Sequence, residues 1–397
     1  MGVQYLVQEA QTELNRTKEV IMKICQTSKS TAQALRRFSR AFLPATTALV
    51  LVSMSAAARE DGHAGVYRQM NLVSDLPGVA DLQDTNLVNA WGISFSATSP
   101  FWVSANGTGK ALLYAVTNDA GGGVHVSKQG LEVTIPGEGN PTGQVFNNQG
   151  GLNGDIFIFA SEDGTISGWR PALGSAAEVL TNRPTAIYKG LALVTNGPSP
   201  MLLAANFGER TLDAYDLNAN LIGQFSDSHA PADYAPFNVQ SLSGHVFVTF
   251  AKTSGGTDDV PGTGHGLIDI FNPRTGRFHR FATGSDAGGH LREINSPWGL
   301  AIAPRGFGQH RDELLVGNFG SGTIMSFEAD GDFRGLLKGE NHRPIVLEGL
   351  WGLAFGNGGR GGVPGTLYFS AGPGDEGHGL FGSLDPVRHH DRDHDDD

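Results

Sequence analysis

Residues Asn295 to Phe327, NSPWGLAIAPRGFGQHRDELLVGNFGSGTIMSF, decide the fold. They read as three short strands: an apolar one beginning at Trp298-Gly299, a second over Leu314 to Gly317, and a third from Thr323 to Phe327. Gly, Pro, Asn and charged turn residues bound each run, and each has the length of an average strand. One such unit cannot bury its apolar faces alone, so its meaning depends on whether it recurs.

It recurs six times. Trp91 to Phe95, Trp298 to Ile302 and Trp351 to Phe355 are three copies of one innermost-strand pattern, and Thr142 to Phe146, Lys189 to Val194 and Asn238 to Leu242 are weaker copies. Second strands follow, ending at residues 105, 160, 205, 251, 317 and 371, spaced by 55, 45, 46, 66 and 54 residues. Third strands come next, and fourth strands are expected at Val124 to Ile135, Glu178 to Thr181, Leu221 to Phe225, Phe278 to Ala282 and Phe333 to Leu337. Several strands per repeat at a period of about 50 residues is the signature of a β-propeller. The expected fold is therefore all-β, a six-bladed β-propeller over residues 66–385.

The sixth copy lacks a fourth strand, because the chain passes from Leu384 into a polar tail. A strand-like run at Val66 to Val73 precedes the first copy. The economical arrangement lets this run complete the last blade, joining the two ends of the chain and removing an exposed edge. Fifty-six Gly and nineteen Pro in 397 residues suit many short strands and tight turns, and do not suit a helical protein.

Residues 1–58 read as an N-terminal extension and export signal. Arg36, Arg37 and Arg40 precede an apolar run to Met54 and the small residues Ser55 to Ala58, which sets the expected cleavage near Ala57 or Ala58. An ordinary N-terminal helix is the alternative, although nothing downstream would pack against it. Met22-Lys23 also makes a usual start, which would leave residues 1–21 as an upstream extension of the reading frame. Cleavage would remove Cys25, the single cysteine, leaving a mature chain without thiols.

The charge excludes one class of partner. Of 28 basic and 40 acidic residues, eight and four lie in residues 1–60, so the remainder carries 20 and 36, a net of −16. Phosphate binding needs clustered Lys and Arg, so nucleic acid is rejected as a partner. Residues 386–397, rich in His and Asp, read as a solvated tail, with metal chelation as the sharper alternative. No membrane span is expected in the mature chain, which is read as a monomer.

Asn295-Ser-Pro-Trp-Gly-Leu, Leu314-Leu-Val-Gly-Asn-Phe-Gly, Gly349-Leu-Trp-Gly-Leu-Ala-Phe-Gly-Asn-Gly and Phe369-Ser-Ala-Gly-Pro-Gly-Asp-Glu-Gly-His-Gly-Leu-Phe-Gly together carry a resemblance. From about Tyr67 to Leu384 the chain resembles an uncharacterised group of bacterial exported propellers, some of which end in a PEP-CTERM sorting segment. That segment's Pro-Glu-Pro, apolar helix and basic end are not found here. More distantly the chain is similar to NHL-repeat and gluconolactonase-like six-bladed propellers. The close resemblance implies a fold and an export route, and no established activity.

In a propeller, the turns between second and third strands share one face with the connections between blades. On that face the sequence collects Asn89, Asn140, Asn206, Asn295, Asn318 and Glu348, whose oxygens around an axial channel would suit a hard cation such as Ca2+. The bland alternative is that these Asn residues shape their own turns. His265 and His378 occupy matching His-Gly-Leu positions and, with His290, are the candidates for acid and base in a metal-assisted lactone or ester hydrolysis. The long connections Lys252 to Gly264 and Thr283 to Asn295 also fall on this face, and function is expected there. The three repeated Trp-Gly tryptophans read as packing between blades. Two functions follow: a binding or scaffolding module for a small molecule or an envelope or extracellular protein, and a metal-dependent hydrolase of the lactonase type.

Overall fold

Short runs of apolar and β-branched residues, broken every few positions by Gly, Asn or Asp, pair most readily with their immediate neighbours in the chain, and this produces antiparallel meanders. A computed structural model of the protein describes residues 63–119, 123–284 and 293–388. Five meanders close as four-stranded sheets in sequence order. Their innermost strands are Ala90–Ser94, Pro141–Phe146, Tyr188–Val194, Tyr234–Leu242 and Pro297–Ile302. The sixth sheet runs outward from Leu350–Phe355 through Leu367–Ala371 and Leu380–Arg388 to the N-terminal strand His63–Ser74. The protein is a six-bladed β-propeller.

The closure follows the sequence expectation: Gln69 pairs with Leu384 and Ser74 with Leu380, antiparallel. Two short parallel pairings, Val73 with Leu82 and Val66 with Lys338, add to the same N-terminal strand and had no signal in the sequence. At the end of the closure, Asp75 accepts from the Gly379 backbone N–H and pairs with His378 Nδ1, each at 2.8 Å. The described strands run slightly beyond the expected propeller limits, from His63 to Arg388. The export segment and most of the His/Asp tail lie outside the described residues.

Apolar side chains on the two faces of each sheet form one cluster at every blade interface. Trp102 packs with Phe157 between blades one and two, Val248 with Ala205 between three and four, and Phe101 with Phe381 between six and one. A seventh cluster lies on the axis and contains Trp91, Phe207, Phe237, Trp298 and Trp351. The repeated tryptophans therefore meet across the channel instead of filling the interfaces between neighbouring blades. Trp91 stacks on Trp351 at 3.5 Å between centroids, and Trp298 meets both edge-on at about 6 Å.

Close approach of the inner strands makes this possible. Every inner strand carries a bulge against its second strand at the same point, for example between Ala90 and Ile93, and between Pro297 and Leu300. Five of the six place a glycine there: Gly92, Gly143, Gly190, Gly299 and Gly352. A Cβ on Gly92, Gly143 or Gly299 would lie 2.5 Å from a backbone atom of the next blade. The fourth blade has Asn238 instead, and its Nδ2 donates to Trp298 O at 2.7 Å, so a side-chain bond there bridges the blades.

Candidate functional site

The aromatic cluster divides the channel into two ends of different chemistry. Toward the starts of the inner strands lies a polar mouth centred on Lys189, whose side chain is buried. Its Nζ pairs with Glu162, and stands 5.1 Å from the centre of the Trp91 ring and 5.9 Å from that of Phe207. The Lys189 carbonyl accepts from Trp298 Nε1 at 3.0 Å. Asn106 Nδ2 donates to Glu162 at 3.0 Å, and Asn89 Nδ2 donates to Glu376 at 2.5 Å. Burial raises the Glu376 and Asp259 carboxyls above their ordinary range, with Lys189 pulling both back.

The expected cation ligands are placed at this mouth, and most of their oxygens serve the protein itself. Asn206 Oδ1 accepts from the backbone of Ile187 and Glu209, Asn295 Oδ1 from Gly262, Asn318 Oδ1 from Asn295, and Glu348 Oε1 from Gly374. Asn89 Oδ1 accepts from Trp351 Nε1 at 3.1 Å. Asn140 is half-buried and gives only its backbone carbonyl, to Glu162 N. Among the described residues, no three His, Cys, Asp or Glu side chains form a metal-holding group.

The histidines also shape the backbone. His265 Nδ1 lies 2.8 Å from Val260 O, where it braces the long loop of the fourth blade, and His378 braces the closing strand through Asp75. His290 lies outside the described residues. Lys189 itself had a legible signal that sequence reasoning passed over: a lysine heading the otherwise apolar inner strand KGLALV.

Beyond the tryptophans the channel widens into a cavity of about 540 Å3, which opens at the turns between first and second strands. This is the face opposite the one on which the sequence places function. The ends of all six inner strands line it, and Trp298 lies among the lining residues. The wall is two-sided. Blades five and six contribute Leu300, Ile302, Leu353 and Phe355, with Ile93 and Phe95 beside them from blade one. Across from these, blades three and four bring Thr195, Gln240, Ser241 and Ser243, interleaved with Leu191, Leu193, Val239 and Leu242, so free polar side chains stand on this side only and share it with apolar ones. Among the described residues, no Asp, Glu, His, Lys, Arg, Cys or Tyr side chain lines the cavity. Its deepest polar side chains are committed: Gln144 Nε2 donates to Gly92 O and Trp102 O, and Ser94 Oγ donates to Gln144 Oε1.

Exposed large apolar side chains among the described residues include Val179, Ile222 and Phe333 on the outer strands of three different blades, where single apolar residues need no partner. No described helix is long and apolar enough to cross a membrane.

No family model matches the chain. It is similar to two uncharacterised proteins of Acanthamoeba polyphaga mimivirus. The first is 29% identical over 341 residues, covering 79% of this chain and 84% of the relative. The second is 27% identical over 305 residues, covering 71% and 72%. Both relatives are viral, so a bacterial origin is an expectation of the sequence resemblance alone, and export one of that resemblance together with the run over residues 36–58. Among solved structures, a streptogramin B lyase is 14% identical with a TM-score of 0.48, covering 81% of this chain and 97% of that one. The WD40 propeller domain of Doa1 is 12% identical with a TM-score of 0.45, covering 80% and 97%.

Proposed function

We propose that this protein is an exported binding module that takes a small molecule into the channel cavity. The observation that carries the reading is the cavity's size combined with its lining: about 540 Å3, within the ordinary range of ligand sites, and without an ionisable side chain among the described residues. Acid–base or nucleophilic chemistry needs a titratable group in reach of the reacting atom, and this wall supplies none. Binding needs only shape, apolar surface and a few uncharged polar groups. Export is supported by the basic, apolar and small-residue run over residues 36–58.

A screen of small molecules by thermal shift tests the site. Ala354→Trp fills the cavity wall, and Glu376→Gln alters the opposite mouth. Hits lost in Ala354→Trp and kept in Glu376→Gln support the reading, and the reverse pattern overturns it.

A metal-dependent hydrolase at the polar mouth is the second reading, carried by the ring of Asn and Glu oxygens that the sequence places there, although among the described residues no three His, Cys, Asp or Glu side chains form a metal-holding group. Against it, five of the six expected ligands spend an oxygen on the protein's own N–H groups. Stoichiometric divalent metal in the purified protein, with a melting temperature lowered by chelator, would move the balance toward hydrolysis.

A further inference from the structure

The two-sidedness of the cavity goes beyond the statement that something binds there. We infer that the ligand is an uncharged two-faced molecule, with an apolar ring or chain on one side and hydroxyl or amide groups along the other. The inference rests on the channel reading above and specifies the chemistry that the channel accepts.

Blades five and six line the cavity with Leu300, Ala301, Ile302, Leu353, Ala354 and Phe355, and their one polar side-chain atom there, Trp298 Nε1, is already committed to Lys189 O. A ligand surface laid against them gains in proportion to the apolar area removed from water, and a polar group placed there would lose its hydration without replacement. On the far side, Thr195, Ser241 and Ser243 carry exposed hydroxyls at the rim that no described protein group bonds, so they are available to a ligand's own hydroxyls or amides. Each inner strand is also the free edge of its sheet. Where side chains do not cap it, such an edge offers backbone N–H and C=O groups to the channel. Capping is visible at the level of the tryptophans, where Gln144 holds Gly92 O and Asn238 holds Trp298 O.

Charge is what the wall excludes. A carboxylate or ammonium brought into the cavity meets no opposite charge from a described lining side chain, so its lost hydration goes uncompensated. An apolar molecule without polar groups would waste the hydroxyl side. A neutral aryl glycoside has both required faces, and its glucuronide differs by one carboxylate, so the two form a matched pair of probes.

Calorimetric titration of the full chain with phenyl β-D-glucoside and phenyl β-D-glucuronide tests the inference. The glucoside is expected to bind, with the glucuronide weaker by about tenfold or more, the equivalent of 1.4 kcal/mol. Replacing both rim serines, Ser241→Ala with Ser243→Ala, should weaken the glucoside by about fivefold while leaving indole binding unchanged, since only hydrogen bonds are removed. Equal binding of the two probes, no binding of the glucoside, or indifference to the serine pair would overturn the two-faced ligand. Blocking variants separate this from failure of the site. If indole binding is lost in Ala354→Trp, or in Thr195→Trp should the first not fold, the channel stands and only the ligand class falls. If glucoside binding persists in both blocking variants, the channel itself is the wrong site.

Discussion

Trp298 Nε1 in the fifth blade donates to the main-chain carbonyl of Lys189 in the third, 3.0 Å away across the propeller axis. This bond ties the aromatic floor of the cavity to the polar mouth on its other side. Trp298→Phe keeps most of the packing and strands the Lys189 carbonyl, so it should cost about 1–3 kcal/mol. Trp298→Ala opens a void among Trp91, Trp351 and Phe237 and should cost about 3–5 kcal/mol. Urea unfolding of the two variants checks the order, and equal losses would remove the role assigned to the bond.

Gly299 sits where the fifth blade presses on the sixth, with Trp351 O 2.5 Å from the place a Cβ would take. Gly299→Ala should destabilise by about 1–3 kcal/mol through overpacking, although alanine is elsewhere the less costly residue in a strand. The chevron's unfolding arm or an equilibrium melt measures it. A neutral or stabilising effect would contradict the tight ring of inner strands.

Much of this was legible in the sequence. The Trp-Gly repeats, the period and the spare N-terminal run gave six blades and their closure, because strand alternation and turn residues act locally and each blade repeats the same solution. The site was less legible. Polar residues and long loops drew attention to the face bearing Asn206, Asn318 and His378, where the structure spends those groups on turns and on bracing the backbone. The cavity on the other face is made from strand ends such as Ile302 and Phe355, which in a sequence look the same as core. Lys189 was hidden by being counted within a strand, and the meeting of Trp91, Trp298 and Trp351 depends on channel width, which no local pattern encodes.

Asp75 is the clasp of the closure, holding His378 Nδ1 and Gly379 N. Asp75→Ala leaves the strand pairing and removes both bonds, so amide exchange should quicken along Leu380 to Leu384 by more than at Leu202 to Ala205 in the third blade. Uniform acceleration in both blades would mean that closure is not locally held.

Asp269 is fully buried beside Arg280, 2.7 Å away, and burial pushes its carboxyl up to about 7, with Arg280 opposing and Asp227 adding to the rise. A folded-state value above the unfolded one means that the native protein holds the proton more tightly. The stability this contributes is complete below about pH 4 and is lost as pH rises to about 7. The melting temperature should therefore fall less between pH 5 and pH 8 in Asp269→Asn than in the unaltered protein. Parallel pH profiles for the two would contradict the assignment.

The most direct test of the binding account is a crystal of this protein soaked with phenyl β-D-glucoside. The account predicts difference density in the channel cavity, with the ring toward Leu353 and Phe355 and the sugar toward Ser241 and Ser243. Density at the opposite mouth beside Lys189 and Glu376, with the cavity unchanged, would contradict it.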